Sequence, residues 1–568
     1  MPAIPSISGP ASPPAGVVNT KKKKNRGPRD PVREALETVV FVVVLVLLLK
    51  LFAVEAFVIP TGSMAETLYG YHKWVECPEC GIRFPVNCSD ESDPQGGALP
   101  TIVKECTCPN CRYEIRNDSK GQPIPSGDWN GDRVLVLKAI YHVEDPERGQ
   151  VVVFKYPKEP QKQHQAQNYI KRLWGRGGET LAIHRTKVFI AKGGIDYSGY
   201  AAPDDPLKAW EPEYRFHNAA EAVTAFNAAK AAGFPAGGTF ELFRKSDEMV
   251  LAMRRLVYDN NHQAKSLVAA GAPPRWAERD GSHSWTPDNA ASPKVFTHAG
   301  DDRSWIRYRH LIENVWANPP KATEARITNF MGYNTSNMNP GKQKDPADYW
   351  ASDLMLECTA KIDTGGEIAV ELSRGVHRYQ ARFANGQVTL VRITGTKEET
   401  LTTAPCPVTG PGEYVLRFAN VDCRLRVWVK KVGFFGVWKR VELGAAADYP
   451  FAPIVDPDPL DRNHEGLTKA NDLDAPASVG AKGPVTVKDL ILYRDTVYTH
   501  MNVARPDDMA DYVDTYYVQP GHYMCLGDNS AQSSDSRDWG AVPERLMLGR
   551  AVFVFWPAFP VNRIGLIK

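Results

Sequence analysis

The chain has 568 residues, of which 43% are hydrophobic and 24% are charged, and its formal net charge is +2. This length predicts several domains rather than one, and the composition excludes a disordered or fibrous protein. A net charge so close to zero makes no electrostatic case for nucleic acid, so no nucleic-acid partner is expected.

A basic N-terminal tail precedes a long apolar segment. Residues 1–34 are rich in Pro, Gly and Ser, include four consecutive lysines and are predicted to be a disordered cytoplasmic tail. Segment 35–56 contains VVFVVVLVLLL and reaches the length of about 20 residues that a transmembrane helix needs. The sequence therefore predicts a single-pass protein of the cell (cytoplasmic, inner) membrane, in contact with the lipid bilayer, whose later domains are extracytoplasmic. A cleaved signal peptide is the alternative, although its apolar region would normally be shorter.

A serine follows the apolar segment directly. Ser63 lies in the sequence IPTGSM, where it could meet a substrate that is still held in the bilayer. An exposed serine is more often an ordinary turn residue, so this motif needs support from elsewhere in the chain.

Two cysteine pairs follow within residues 74–112. Cys77 and Cys80 form one CPxC motif, and Cys108 and Cys111 form the second. Four thiolates in two such turns are typical of a zinc ribbon with a structural zinc, since no coordination position stays open for catalysis. Disulfides are the alternative outside the cytoplasm, and Cys88 and Cys106 would allow a bridge beside a zinc site.

A lysine with apolar neighbours occurs next, in the sequence YIKRLWG. Lys171 can act as a base only if its amine is neutral, which requires a dry surrounding that lowers its pKa. The apolar neighbours that could supply this surrounding are Tyr169, Ile170, Leu173 and Trp174. A lysine beside an arginine is otherwise typical of a solvated surface.

A large insert separates this lysine from the C-terminal region. Residues 196–253 mix Ala-rich helical sequence with loops and receive no assignment. Residues 254–499 show the period-2 pattern of strands: Leu425, Val427 and Val429 alternate with Arg424, Arg426 and Trp428. This pattern between Gly, Asn and Pro turns predicts an antiparallel β-sandwich. The segments RFANVDCRLRVWV and VKDLILYRDTVYTH resemble concanavalin A-like jelly-roll domains, which often bind carbohydrate. A spacer or a protein-contact module explains the insert equally well.

The C-terminal region contains a loop of small and polar residues, GDNSAQSSDSRDWG. A hydroxyl group of this loop could orient the lysine, and Asp535 with Arg537 could lock the loop as an ion pair. An ordinary surface loop is the alternative.

The three motifs in this order resemble bacterial signal peptidase I. IPTGSM, YIKR and GDNSAQSSDSRDWGAVP correspond to its nucleophile, lysine and C-terminal boxes, and GDRVLV and RGQVVVFKYP to the strands between them. The resemblance covers roughly residues 30–73, 128–195 and 500–568. It implies a mainly β protein with a catalytic core made of 57–73, 113–195 and 500–568. Glu66 and Ser530 depart from the family, which usually has proline and arginine there.

The resemblance also implies a role for each matching residue. Ser63 is the nucleophile of a serine endopeptidase and Lys171 its general base, and no cofactor takes part in catalysis. The N–H of Ser63 and the hydroxyl of Thr61 form the oxyanion hole. The other implied site residues are Ser533 as hydrogen-bond partner of the lysine, Asp535 and Arg537 as ion pair, Gly527 as support, and Ile59, Met64 and Tyr169 as substrate pocket.

The function implied is the removal of signal peptides from exported preproteins that emerge from the secretion channel, with cleavage after small residues in Ala-x-Ala sites. An inactive surface protein that acts through its β-sandwich is the alternative. A repressor-type autoprotease uses the same dyad, but it should be soluble and carry a DNA-binding helix-turn-helix.

Overall fold

The computed structural model describes the chain in thirteen stretches, which leave out the residues between them. These stretches are 31–94, 99–117, 123–127, 130–157, 167–197, 217–314, 318–336, 349–433, 436–444, 448–451, 468–499, 512–557 and 563–568. The chain divides into two compact units, Met1–Ala53 and Val54–Lys568.

The first unit contains one α-helix, Pro31–Leu48, followed by a π-helical turn, Leu49–Ala53. The helix begins inside the predicted tail, at a proline, which is suited to the first helical turn because its missing N–H has no partner there anyway. Residues 1–30 of the predicted tail lie outside the described residues. No helix in the described part of the chain is both long and apolar enough to cross a membrane. The span predicted over 35–56 stays a prediction.

An eight-stranded antiparallel sheet, the core sheet, organises the second unit. Its strands in spatial order are Val54–Val58, Arg133–Leu137, Met547–Trp556, Val151–Lys155, Asn168–Arg176, His522–Leu526 and Val542–Pro543, with Gly565–Leu566 paired to Met547–Trp556. Strands from both ends of the unit are therefore combined in one sheet. The β-rich fold confirms the prediction of a mainly β protein.

A four-stranded sheet, the side sheet, lies next along the chain. Its strands are Glu241–Leu242, Lys187–Ala191, Thr180–His184 and Asp514–Tyr517. Helix Ala220–Ala231 packs Phe226 against Phe189 of this sheet, with ring centroids 5.4 Å apart. Its buried Ala222, Phe226 and Ala229 recur at helical spacing, so this part of the unassigned insert covers the side sheet.

Two short hairpins form the cysteine-rich insert. The first pairs His72–Glu76 with Arg83–Asn87 and is followed by a short helix, Ser89–Ser92. The second pairs Glu105–Thr107 with Glu114–Arg116. Each CPxC motif lies in the turn of one hairpin.

The large insert folds into two antiparallel sheets packed over a common apolar core. The first contains Trp285–Pro287, Phe296–His298, Val485–Arg494, Leu354–Ile362, Gly412–Val421, Arg424–Lys431 and Lys439–Val441, with Arg255–Asp259 paired to Val485–Arg494. The second contains Trp276–Glu278, Ser304–Tyr308, Ala477–Lys482, Glu367–Arg374, His377–Ala384, Gln387–Thr394 and Lys397–Pro405. The other α-helices are Asp247–Met253, Lys265–Ala269 and Ser536–Trp539, and a separate hairpin pairs Leu311–Asn314 with Lys321–Glu324.

One strand of the sandwich differs from the predicted half-exposed pattern. In Arg424–Lys431 the expected inward residues are buried, but Arg426 and Trp428 are buried as well. The reason is helix Asp247–Met253, which covers this face of the first sheet: Arg426 Nε donates to Asp247 Oδ1 over 3.0 Å. A period-2 pattern cannot reveal a cover that comes from a distant part of the chain.

Candidate active site

Ser63 lies in a tight turn at the edge of the core sheet. Strand Val54–Val58 leads into a 3₁₀ turn, Gly62–Met64. The side chains of this turn are buried, and Ser63 itself is only 8% exposed. Ser63 is therefore held by the fold and is not the exposed turn residue that the motif alone would suggest.

Lys171 approaches Ser63 from a different strand of the core sheet. It lies in strand Asn168–Arg176 and is 2% exposed. Its Nζ is 2.7 Å from Ser63 Oγ and 3.1 Å from the carbonyl oxygen of Ile170. The structure thus brings the two predicted catalytic residues into direct hydrogen-bond contact across 108 positions of sequence.

The surroundings of Lys171 favour its neutral form. Burial lowers the pKa of the Lys171 amine from 10.5 to about 8, although the carboxylates of Asp535 and Asp528 raise it in part. Of the four predicted apolar neighbours, Tyr169 has its ring centroid 5.3 Å from Nζ. Trp174 instead packs against Tyr498, with ring centroids 4.8 Å apart. An amine with this pKa is partly unprotonated at neutral pH and can accept a proton.

The C-terminal loop is locked by the predicted ion pair. Arg537 Nη2 is 2.7 Å from Asp535 Oδ2, and neither side chain is exposed. Arg537 also donates to Ser530 Oγ over 2.8 Å and to the carbonyl oxygen of Thr499 over 2.7 Å. Burial alone would raise the pKa of Asp535, but the charge and hydrogen bonds of Arg537 outweigh it and lower the pKa. Ser530, which departs from the family pattern, therefore accepts one of the hydrogen bonds that hold this loop.

Ser533 does not make the hydrogen bond to Lys171 that the resemblance implies. Its Oγ is buried and has no hydrogen-bond partner among the described residues. The side chain lies instead against Gly527, where a Cβ atom would come within 2.1 Å of Ser533 Oγ and 2.5 Å of Ser63 O. Only glycine fits at position 527, which explains how the loop packs so close to the nucleophile.

The remaining predicted site residues lie around this centre. Thr61 is exposed and immediately precedes the 3₁₀ turn, and its side chain makes no capping hydrogen bond there. Ile59 and Met64 are buried in an apolar cluster of the core sheet. Tyr169 stacks on Tyr156, with ring centroids 4.9 Å apart.

Two further residues of the site were not predicted from the sequence. Arg172 is fully buried and pairs with Asp528 over 2.6 Å, which rules out the alternative of a solvated surface at this position. Asn529 is 1% exposed; its backbone N–H donates to Ser63 O and its Nδ2 to Gly62 O, each over 3.0 Å. The available signal was the family box itself, since GDN immediately follows a strand, but nothing local indicates which side chain points inward.

The four cysteines of the two CPxC motifs converge between the hairpins. All four Sγ atoms lie within 4.8 Å of one another and are buried. The pairs Cys77–Cys111 and Cys80–Cys108 have Sγ atoms 3.6 Å apart. Sulfur atoms around a tetrahedral zinc with Zn–S bonds of about 2.3 Å lie about 3.8 Å apart, whereas a disulfide bond measures about 2.05 Å. The donor set therefore fits zinc, and none of the ten cysteines, all of which lie in the described stretches, forms a disulfide bond.

Parts of the chain are similar to known peptidases. A family model described as signal peptidase, peptidase S26, matches residues 120–234 and 480–556, about a third of the chain. This match includes Lys171 and the loop around Asp535 but does not include Ser63.

Individual relatives give the narrower assignment. Thylakoidal processing peptidase 1 of Arabidopsis thaliana is 30% identical over 26% of this chain and 41% of its own length. Signal peptidase I of Pseudomonas aeruginosa is 32% identical over 27% of this chain and 35% of its own length. The chain thus spans less than half the length of these relatives. The resemblance to signal peptidase I is confirmed over these parts of the chain.

Solved structures resemble the chain only weakly. The carbohydrate binding module CBM66 from Bacillus subtilis has a TM-score of 0.18 at 11% identity and covers 39% of this chain and 95% of its own. The exoplasmic/lumenal domain of VIP36 has a TM-score of 0.23 at 7% identity, over 43% of this chain and 89% of its own. Scores this low do not define a shared fold.

Proposed function

We propose that the chain is a signal-peptide endopeptidase in which Ser63 is the nucleophile and Lys171 the general base. The observation that carries the proposal is the distance of 2.7 Å between Lys171 Nζ and Ser63 Oγ in a buried setting. A hydroxyl becomes a competent nucleophile when a neighbouring base takes its proton as it attacks.

In the proposed reaction, Lys171 takes the proton of Ser63 Oγ while this oxygen bonds to the carbonyl carbon of the scissile amide. The negative charge that develops on the carbonyl oxygen is stabilised by the Ser63 N–H and the Thr61 hydroxyl. Lys171 then gives its proton to the leaving amine nitrogen as the C–N bond breaks. A water molecule, deprotonated by Lys171, hydrolyses the acyl-serine and restores the enzyme.

The experiment is cleavage of a preprotein with an Ala-x-Ala site by the detergent-solubilised protein. We expect cleavage after the small residue, background activity for Ser63→Ala, and a loss of about 100- to 10,000-fold for Lys171→Met, as for removal of a general base. The control is Ser534→Ala, which changes an exposed serine of the C-terminal loop and should keep full activity. An inactive wild type, or an unchanged rate in either dyad variant, would refute the proposal and favour a binding role of the β-sandwich.

We further propose that segment 35–56 holds the protein at a cell membrane, with the catalytic core on the extracytoplasmic side, where preproteins leave the secretion channel. Support comes from the apolar side chains of helix Pro31–Leu48, none of which is buried. Extraction of cell membranes at alkaline pH should leave the full chain in the pellet. Release of the full chain into the supernatant would contradict the anchor.

Zinc is the proposed structural metal of the cysteine-rich hairpins. Cys77, Cys80, Cys108 and Cys111 would hold it, and it would link the two hairpin turns without taking part in the reaction. Carbohydrate at the β-sandwich remains a prediction from the sequence.

A further inference from the structure

A turn of the large insert packs against the backbone next to the nucleophile. The 3₁₀ turn Gly332–Asn334 places the ring of Tyr333 against Gly62, where a Cβ atom would come within 2.4 Å of Tyr333 Cε1. Tyr333 is 1% exposed and stacks on Tyr69, with ring centroids 5.4 Å apart. The backbone before Ser63 is thus packed directly against a residue that belongs to the insert.

The same turn forms a paired amide contact with the C-terminal loop. Asn334 Nδ2 donates to Asn529 Oδ1 over 2.8 Å, and Asn529 Nδ2 donates to Asn334 Oδ1 over 2.8 Å. The other hydrogen of Asn529 Nδ2 is directed at Gly62 O, 3.0 Å away. Asn334 therefore fixes the orientation of the amide that holds the Gly62 carbonyl group.

Holding this carbonyl group also aims an N–H group. The peptide unit between Gly62 and Ser63 is planar and trans, so its C=O and N–H point in opposite directions within one rigid plane. A hydrogen bond that fixes Gly62 O consequently fixes the direction of the Ser63 N–H. This N–H is the donor that the proposed reaction uses for the oxyanion.

The cysteine-rich hairpins also contact this turn. Thr107 N donates to Thr335 Oγ1 over 2.8 Å, and a Cβ atom on Gly332 would come within 2.8 Å of Pro109 Cδ. Thr107 and Pro109 flank Cys108, one of the four clustered thiols. The turn is therefore clamped between the cysteine-rich hairpins and the nucleophile.

We propose that Asn334, a residue of the large insert, is a positioning residue of the active site: through Asn529 it orients the Gly62–Ser63 peptide and so aims the oxyanion-binding N–H. This inference rests on the proposed function. It gives the insert a part in catalysis that a separate binding module would not have.

Asn334→Asp is the sharpest variant, because it keeps the shape of the side chain and replaces the donating nitrogen by an oxygen. That oxygen would face Asn529 Oδ1, and two acceptors repel each other, so the Asn529 amide should turn away from Gly62 O. Asn334→Ala removes the contact without adding repulsion. Gln387→Ala, an exposed amide residue of the same insert, is the matched control.

Two measurements distinguish a misoriented Ser63 N–H from a loss of stability: steady-state cleavage, and inhibition by an Ala-x-Ala peptide aldehyde. The adduct of this aldehyde with Ser63 places an oxyanion where the oxyanion of the substrate would form. For Asn334→Asp we expect kcat and aldehyde affinity to fall about 10- to 100-fold, the scale of a small misplacement of catalytic groups. KM and the pH at half-maximal kcat should not change. The kcat and aldehyde affinity of Asn334→Ala should lie between those of Asn334→Asp and those of the wild type. All variants are assayed well below their melting temperatures.

The inference would be overturned if folded Asn334→Asp and Asn334→Ala both kept the kcat and the aldehyde affinity of the wild type. If Ser63→Ala were inactive in the same assay, the proposed function would still stand. A change in melting temperature alone, at unchanged kcat, would overturn the inference too and reduce Asn334 to a structural role. An inactive wild type would refute the proposed function and this inference together.

Discussion

Lys171 is buried, and its hydrogen bonds among the described residues go to a hydroxyl and a backbone carbonyl rather than to a carboxylate. Burial lowers the pKa of its amine to about 8, against 10.5 for a lysine in water. Below that pH the amine is protonated and cannot accept the proton of Ser63; above it the amine is neutral and can. The pH dependence of the proposed reaction is therefore set by this side chain.

We expect kcat for preprotein cleavage to rise about tenfold per pH unit on the acid side and to level off above a midpoint of about 8. The measurement is kcat at saturating substrate across about pH 6 to 10, with circular dichroism at each pH to show that the protein stays folded. A midpoint near that of an ordinary lysine, about 10.4, would contradict the burial argument. A flat profile would argue against Lys171 as the base.

At the level of single residues, sequence reasoning finds those that belong to a recognisable box. Ser63, Lys171, Asp535 and Arg537 were predicted in this way, and the structure brings each pair together. Asn334 could not be predicted, because its contact with Asn529 spans 195 positions and its neighbours resemble no family motif.

At the level of elements, the two cysteine hairpins form a unit small enough to depend on its metal. The four cysteines lie in an apolar cluster with Val75, Val86 and other side chains, and four clustered thiolates without a cation would repel one another. Small metal-binding domains of this kind take much of their folding free energy from the metal.

We expect purified protein to contain one zinc ion per chain, and Cys108→Ser to lose it and unfold at a lower temperature. The metal is counted by elemental analysis and unfolding is followed by calorimetry. Cys106→Ser changes a buried thiol of the same hairpins outside the four-thiol cluster, so it should keep the metal. Metal-free protein with fewer than ten titratable thiols would contradict the zinc site and favour disulfides.

Elements are predictable where one strand or turn carries its own signal. The doubled CPxC motif indicated two turns, and the alternation at 425–429 indicated a strand. The pairing of Arg133–Leu137 with Met547–Trp556 was not predicted, because hydrogen bonds between distant backbone segments cannot be read from local sequence.

At the level of the whole molecule, a buried charge cluster joins the β-sandwich to the side sheet. Lys245 Nζ lies 2.8 Å from both Asp422 and Asp495 of the sandwich. Lys187 of the side sheet pairs with Asp353 in the same cluster. The partners come from chain segments far apart in sequence, so no local pattern predicts this junction, and the insert is built into the unit that carries the active site.

Lys245 neutralises two buried carboxylates. In Lys245→Met, Asp422 and Asp495 would remain buried without their cation, and removal of one partner from a buried pair costs about 3 to 5 kcal/mol.

Because the cluster joins both parts of the unit, we expect the unfolding of Lys245→Met to shift to lower denaturant concentration while the sandwich and the catalytic core still unfold together. Tryptophan fluorescence reports the whole unit, because tryptophans lie in both parts, and residual peptidase activity, measured on the same samples, reports the catalytic core. Lys361→Met is the control, since Lys361 pairs with Asp363 at an exposed position and such pairs contribute at most about 1 kcal/mol. A variant in which the fluorescence transition shifts and the activity transition does not would show that the insert and the core are energetically separate.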